Sequence, residues 1–254
     1  MKTLNKLLNN QIISTIAALS VYGLLVALII YLYPGKDNFQ LNLILDQSDK
    51  IFEGWLLTLF ISVVVLFFSI FSGFSLYLLM ISKNLFLNKV GSIFNYVVFG
   101  SPLIVFLLTI YYFLAVPLGF EDRNIIGIIA LTLYIGPYMK NVFESALSSI
   151  DELQYQAMKV FGFKTWQKYV YIIIPQLIRI LIPPMISNLT FIIKGSSLLY
   201  FIGVYEVYKQ IATIQSNTYA IVEGYLVLFI VYLIITIPLI ALAKYFEKKV
   251  SAWN

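Results

Sequence analysis

The chain has 254 residues, 61% hydrophobic, 17% aromatic and only 11% charged, with a mean hydropathy of +0.90. A soluble domain carries about a quarter of its residues as charged side chains, so a soluble fold is excluded. Apolar runs longer than about twenty residues, without strict alternation, point to membrane helices rather than a barrel. Cysteine and histidine are both absent, which removes Cys/His metal centres and His-dependent triads. The net charge of +5 suits basic loops beside a membrane, not nucleic acid.

Six apolar spans are expected in chain order. The first, over 12–33, follows Lys2 and Lys6. At 1.5 Å per residue its roughly 22 residues reach about 33 Å, enough to cross a hydrocarbon core of about 30 Å. It is longer than a signal-peptide core, and no small-x-small cleavage pattern precedes Pro34-Gly35, so it is expected to be an uncleaved anchor. A polar loop over 34–53, with Asp37, Asp46, Asp49 and Glu53, leads to a second span over 54–82. The third is expected as one segment over 91–116, and the fourth over 125–147, broken at Gly136-Pro137. After a polar interval come a fifth span over 177–193 containing Pro183-Pro184, a mixed segment over 194–218, and a sixth span over 219–243.

With the N-terminus inside, twelve of the seventeen Lys and Arg fall on the inner side and eight of the twelve acids on the outer. The positive-inside rule, which counts only Lys and Arg, then places both termini and the central polar interval in the cytoplasm. The expected fold is an all-α integral membrane protein with about six transmembrane helices, N-in and C-in.

The central interval, Asp151 to Pro175, carries Asp151, Glu152, Lys159, Lys164 and Lys168 between two apolar runs. No Pro or Gly interrupts it before Gly162, and Leu153, Ala157, Val160 and Phe161 fall near one helical face. A short helix is expected, started by Ser149 or Asp151 as N-cap and stopped by Gly162 in a left-handed conformation. A second short helix over 164–171 would carry Trp166, Tyr169 and Tyr171, residue types common at the bilayer interface. On these features alone, an interfacial connector without a partner remains an alternative.

Within the interval, Gln156-Ala157-Met158 is followed after three residues by Gly162, and nine residues later by Ile172, then Ile174-Pro175. This spacing resembles the EAA loop, EAA-x3-G-x9-I-x-LP, of the permease subunits of binding-protein-dependent ABC importers. Further stretches resemble the polar amino-acid (histidine/glutamine permease) branch of that family in order along the chain. Gly54 with Thr58-Leu59, Gly100-Ser101-Pro102-Leu103, Leu131-Thr132-Leu133 with Tyr138, and Pro175-Gln176 come first. Pro183-Pro184-Met185-Ile186-Ser187-Asn188, Lys194 with Ser196-Ser197-Leu198, and Ile202-Gly203-Val204 with Glu206 follow. The likeness covers about residues 54–245.

The resemblance implies a five-helix permease core, 51–250, plus an extra N-terminal helix in 1–50, with a cytoplasmic coupling loop over 148–175. It implies a transport subunit, not an enzyme, in a bacterial plasma membrane. The expected partners are a cytoplasmic ABC ATPase dimer, a second permease subunit (the same or a related chain), an extracytoplasmic substrate-binding protein and membrane lipid, with no nucleic acid. No cofactor is expected on this chain: it has no GxxxxGK[ST] phosphate loop, and ATP-Mg would sit on the partner ATPase. Gln156, Ala157, Met158, Gly162 and Pro175 are the implied ATPase-coupling residues. Ser101, Asn141, Glu144, Lys194 and Ser196 are the implied pathway residues.

Several positions depart from the family pattern. Gln156 replaces its Glu, Phe99 its Arg before Gly-Thr-Pro, Gly195 its Asp, and Asn141 and Glu144 its Glu-x-x-Arg. A divergent half of a heterodimer, or a substrate of different charge, would each account for these changes. Lys140 and Glu144 are four apart and can pair on one helix face; Lys194 and Glu223 are expected at outer span ends. The alternative function is a stand-alone secondary transporter or channel, driven by an ion gradient.

Overall fold

The structure is a computed structural model that describes residues 39–251 and scattered positions, all helical, between 17 and 32. The expected first span over 12–33 otherwise lies outside the described residues. Those residues form helices and connecting turns, with no strand among them. In order, the helices are α1 (Asn42–Leu45), α2 (Ser48–Met80), α3 (Leu85–Gly100), α4 (Leu103–Thr109, running into a π-helical stretch Ile110–Ala115) and α5 (Arg123–Ser148). There follow α6 (Glu152–Val160), α7 (Thr165–Gln167), a π-helical stretch Lys168–Ile173 and α8 (Ile174–Ser196). A 3₁₀ segment Ser197–Ile202, α9 (Val207–Thr218) and α10 (Ile221–Ser251) complete the chain.

Four helical stretches are long and apolar enough to cross a membrane: Ser48–Met80, Arg123–Ser148, Thr165–Ile202 and Ile221–Val250. A fifth candidate is the pair α3 and α4, bent by 118° at the break between them. The expected single third span over 91–116 is therefore corrected to a broken one. Ser101 precedes Pro102 and takes an extended conformation, φ −109° and ψ 137°, as the crowding of a proline on its predecessor favours. The Tyr134 hydroxyl of α5 donates to the freed Ser101 carbonyl at 3.2 Å. The expected break of the fourth span at Gly136-Pro137 does not occur, because α5 runs unbroken with Pro137 inside it.

At this point α5 crosses α2 closely. A Cβ added at Gly73 would run into the Met139 Cβ and meet the Lys140 nitrogen at 2.8 Å, and one at Gly136 would meet the Ser72 Oγ at 2.5 Å. At Gly73 this approach to the α5 backbone leaves room for glycine alone, while at Gly136 the obstacle is the Ser72 hydroxyl; small residues act this way between helices where lipid supplies no hydrophobic drive. Beside the crossing lies the main core, with Ile61 and Val65 of α2 against Leu131, Ile135 and Met139 of α5, all buried. A second cluster joins Ile44, Ile51, Val207, Ile211, Val227 and Leu228 at the end of the bundle where α2 and α10 begin.

That end is fastened by Glu206, fully buried before α9. Its carboxylate caps the helix, accepting from the Tyr208 and Lys209 amides at 3.0 Å each and from the Tyr232 hydroxyl at 3.3 Å. Burial pushes this carboxyl up to about 7, against hydrogen bonds that pull it down.

Candidate functional site

The interval between α5 and α8 is built as a rigid projection. Asp151, and not Ser149, caps α6: its side chain accepts from the Leu153 amide at 2.8 Å, while the Ser149 hydroxyl turns back to the Ala146 carbonyl at 2.7 Å. Such a cap contributes about 1 kcal/mol. The helix ends in a paired closure in which Phe163 N donates to the Met158 carbonyl at 3.0 Å and Gly162 N to the Lys159 carbonyl at 3.1 Å. Gly162 makes that possible at φ +68°, a conformation that costs an ordinary residue about 1–2 kcal/mol.

One side of α6 is anchored inward. Met158 is 3% exposed and packs with Ile150 and Ile173, with Tyr155, Ile172 and Leu177 around them. The Gln176 side chain donates to the Gln154 amide oxygen at 3.2 Å, tying α6 to the start of α8. The other side carries large apolar side chains in the open: Leu153 is 68% exposed, Val160 84% and Phe161 78%. Gln156, Ala157 and Pro175 are exposed as well. This stretch lies between two candidate spans and outside both, so lipid tails are not the evident cover for those three residues. Of the five sequence-named coupling residues, Gln156 and Ala157 stand on α6's accessible surface, Met158 holds the helix down, Gly162 ends it, and Pro175 begins α8. The expected second short helix over 164–171 is not a separate element: α7 passes through the π-helical turn directly into α8.

The five residues that the family resemblance implies for the pathway fall into two groups. Asn141 and Glu144 meet at Lys140, whose ammonium is 2.6 Å from the Glu144 carboxylate and 3.3 Å from the Asn141 amide oxygen. Lys140 is buried while Glu144 is exposed, so the pair lies at the edge of the α2–α5 crossing. Ser101 sits at the α3–α4 break, and a Cβ at Gly195 would meet Leu103 at 3.0 Å, which brings the break alongside Lys194 and Ser196. Lys194 is exposed. Ser196 is fully buried, with its hydroxyl on its own helix's Ile193 carbonyl at 2.8 Å.

Sequence reasoning missed the aromatic side chains beside the break. Tyr138 lies between Phe99 and Phe191, with ring centroids at 4.9 and 5.6 Å, and its ring stacks on Tyr134 at 5.8 Å. Phe99 and Phe191 are 43% and 40% exposed. The sequence hints were Tyr138, which belongs to a family-like stretch, and Phe99, which stands where the resembling family has a charged residue.

Comparison with known proteins places these features together. A family model described as binding-protein-dependent transport system inner membrane component matches residues 70–252. A Bacillus subtilis protein named probable amino-acid permease protein YxeN is 32% identical over 200 residues, covering 77% of this chain and 88% of that protein. The glutamine transport system permease protein GlnP of Escherichia coli K12 is 27% identical over 218 residues, covering 84% of this chain and 99% of that one. Among solved structures, an amino acid ABC transporter crystallised with histidines superposes with a TM-score of 0.74 at 24% identity, over 81% of this chain and 96% of that chain. That likeness shows the fold.

Proposed function

The chain belongs to the family of binding-protein-dependent transport system inner membrane components, and from that premise we propose that it is the permease subunit of an ATP-driven importer of polar amino acids. It is a multi-pass membrane protein, and its proposed location is a bacterial plasma membrane with both termini inside. Residues 51–250 form the permease core, and two such subunits, identical or related, enclose the pathway. A cytoplasmic ATPase dimer binds ATP and magnesium, and an extracytoplasmic binding protein delivers substrate.

The observation that carries this reading is the exposed Leu153, Val160 and Phe161 surface on a helix fixed at both ends. Apolar side chains held rigidly in the open suit a protein partner. Closure of the ATPases would push on α6, and Met158 and the Gln176–Gln154 bond would pass that movement to α8. The amino-acid substrate is supported by the names of the relatives and by the run of matching motifs. The half-exposed Phe99, Tyr138 and Phe191 beside Ser101, and the Asn141–Lys140–Glu144 group, are the surfaces proposed to face it.

Uptake of labelled polar amino acids tests the reading. In membrane vesicles containing the chain with its co-expressed partners, uptake should require ATP inside and should not respond to collapse of the ion gradients. Uptake by liposomes holding this chain alone, driven by an ion gradient, would establish a secondary transporter instead.

A further inference from the structure

We propose that Tyr134 is a positioning residue for the broken span: its side chain fixes the angle between α3 and α4, and with it the placement of Ser101 and Phe99. The angle follows from geometry alone, whereas the contact of Ser101 and Phe99 with a transported solute rests on the importer reading above.

The two arms of the break lean on different neighbours. A Cβ at Gly91 of α3 would meet Met80 and Leu79 of α2 at 3.0 and 3.2 Å, so α3 follows the end of α2. Leu103, the first residue of α4, would lie 3.0 Å from a Cβ at Gly195 of α8, so α4 follows α8. That helix is tied to α6 through Met158 and the Gln176–Gln154 bond. Movement of α8 against α2 therefore acts on the angle between the arms.

The corner itself is loosely built. Ser101 N and its hydroxyl both turn back to the Val98 carbonyl, at 3.3 and 3.2 Å, and Phe106 N closes the start of α4 on the Pro102 carbonyl at 3.0 Å. The Ser101 carbonyl lies between the two helices, where the Tyr134 hydroxyl reaches it at 3.2 Å. Irregular backbone at membrane depth is tolerated only where protein or water satisfies it. A Cβ added at Gly100 would find open space among the described residues, so the corner is not wedged from that side.

The ring of Tyr134 completes the hold. It is 6% exposed, meets Phe106 of α4 edge-on at 5.6 Å and stacks on Tyr138 at 5.8 Å. Tyr138 packs in turn on Phe99, the last residue but one of α3, at 4.9 Å. One buried side chain on α5 thus reaches the corner by its hydroxyl, the α4 arm directly and the α3 arm through one further ring.

The chain contains no cysteine, so Ile93→Cys on α3 and Leu114→Cys in the π-helical stretch after α4, 60% and 51% exposed, can carry a pair of spin labels. In the assembled complex, diluted with unlabelled chain, the unaltered corner should give one narrow distance distribution. Tyr134→Phe keeps the ring and removes the hydroxyl, and should broaden or shift that distribution without an early thermal melt. In the same variant, solute moved per ATP hydrolysed should fall roughly two- to tenfold, the range of one hydrogen bond, while the ATPase rate is kept; a merely structural loss would lower both together. Phe106→Leu loosens the corner from the α4 side and should broaden the distribution as well, which decides the matter if Tyr134→Phe is not recovered folded. Unchanged distances in a recovered variant, or broadening that comes only with an early melt, would overturn the proposal and leave Tyr134 as core packing. Broadened distances with an unchanged yield of transport per ATP would overturn the placement of Ser101 and Phe99 by that angle. Absence of uptake by the unaltered assembly would overturn the importer reading instead, and the distances alone would then decide the role of Tyr134.

Discussion

At the crossing of α2 and α5, Gly73 sits so close to the α5 backbone that even a methyl group has no room, and the apolar side chains around it are buried within the chain. On α6 the arrangement is reversed: the backbone is locked by Asp151 and Gly162, while Leu153, Val160 and Phe161 point away from the rest of the molecule. The first region completes its packing alone. The second is capped at both ends and anchored by Met158, yet leaves its largest apolar groups unused. Rigidity with exposed apolar surface, rather than exposure by itself, distinguishes a docking element from a connector.

The comparison is broken most severely at the crossing. Gly73→Leu should lower the thermal midpoint strongly or prevent recovery of a monodisperse protein, because overpacking costs about 1–3 kcal/mol even where side chains can shift. Here the obstruction includes the Lys140 backbone nitrogen, which cannot move aside like a flexible side chain. Detergent-solubilised thermal melts would check this, and an unchanged midpoint would show that the helices can slide apart.

A smaller effect sharpens the other side. Gly162→Ala strains one residue by about 1–2 kcal/mol, and the strain falls on the end of α6 alone. Hydrogen exchange should rise across 152–163 while α2 and α5 keep their protection, and transport should fall with it. Uniform exchange across the whole chain would mean that α6 is part of the core's cooperative unit.

Much of this was legible in the sequence, for physical reasons that differ by element. The motif spacing from Gln156 to Pro175 located the projection, and the residue types at Asp151 and Gly162 marked its cap and stop because capping is a local interaction. The membrane helices followed from hydropathy. Tertiary geometry was less legible. Ser101-Pro102 carries a helix-breaking signal, but the apolar residues on both sides concealed it within one long run. Pro137 carries the same signal, yet α5 continues through it where α2 packs against Gly136 and Met139. No sequence pattern distinguishes these two prolines. Likewise, periodicity put Met158 on the loop helix, but only the fold turns it down onto Ile150 and Ile173. The meeting of Phe99, Tyr138 and Phe191 comes from three separate helices.

The central claim is that the exposed face of α6 docks an ATPase and does nothing for the fold. The direct test is the double variant Val160→Asp, Phe161→Asp, purified in mild detergent beside the unaltered chain, with co-purifying proteins identified and thermal midpoints recorded. Surface changes away from packed features move stability within about 0.5 kcal/mol, whereas loss of an interface hot spot costs about 2 kcal/mol or more, roughly thirty-fold in affinity. The account predicts that a soluble ATPase accompanies the unaltered chain and disappears from the variant, with the midpoint unchanged. An ATPase retained at full yield by the variant, or a variant that melts early, would contradict it.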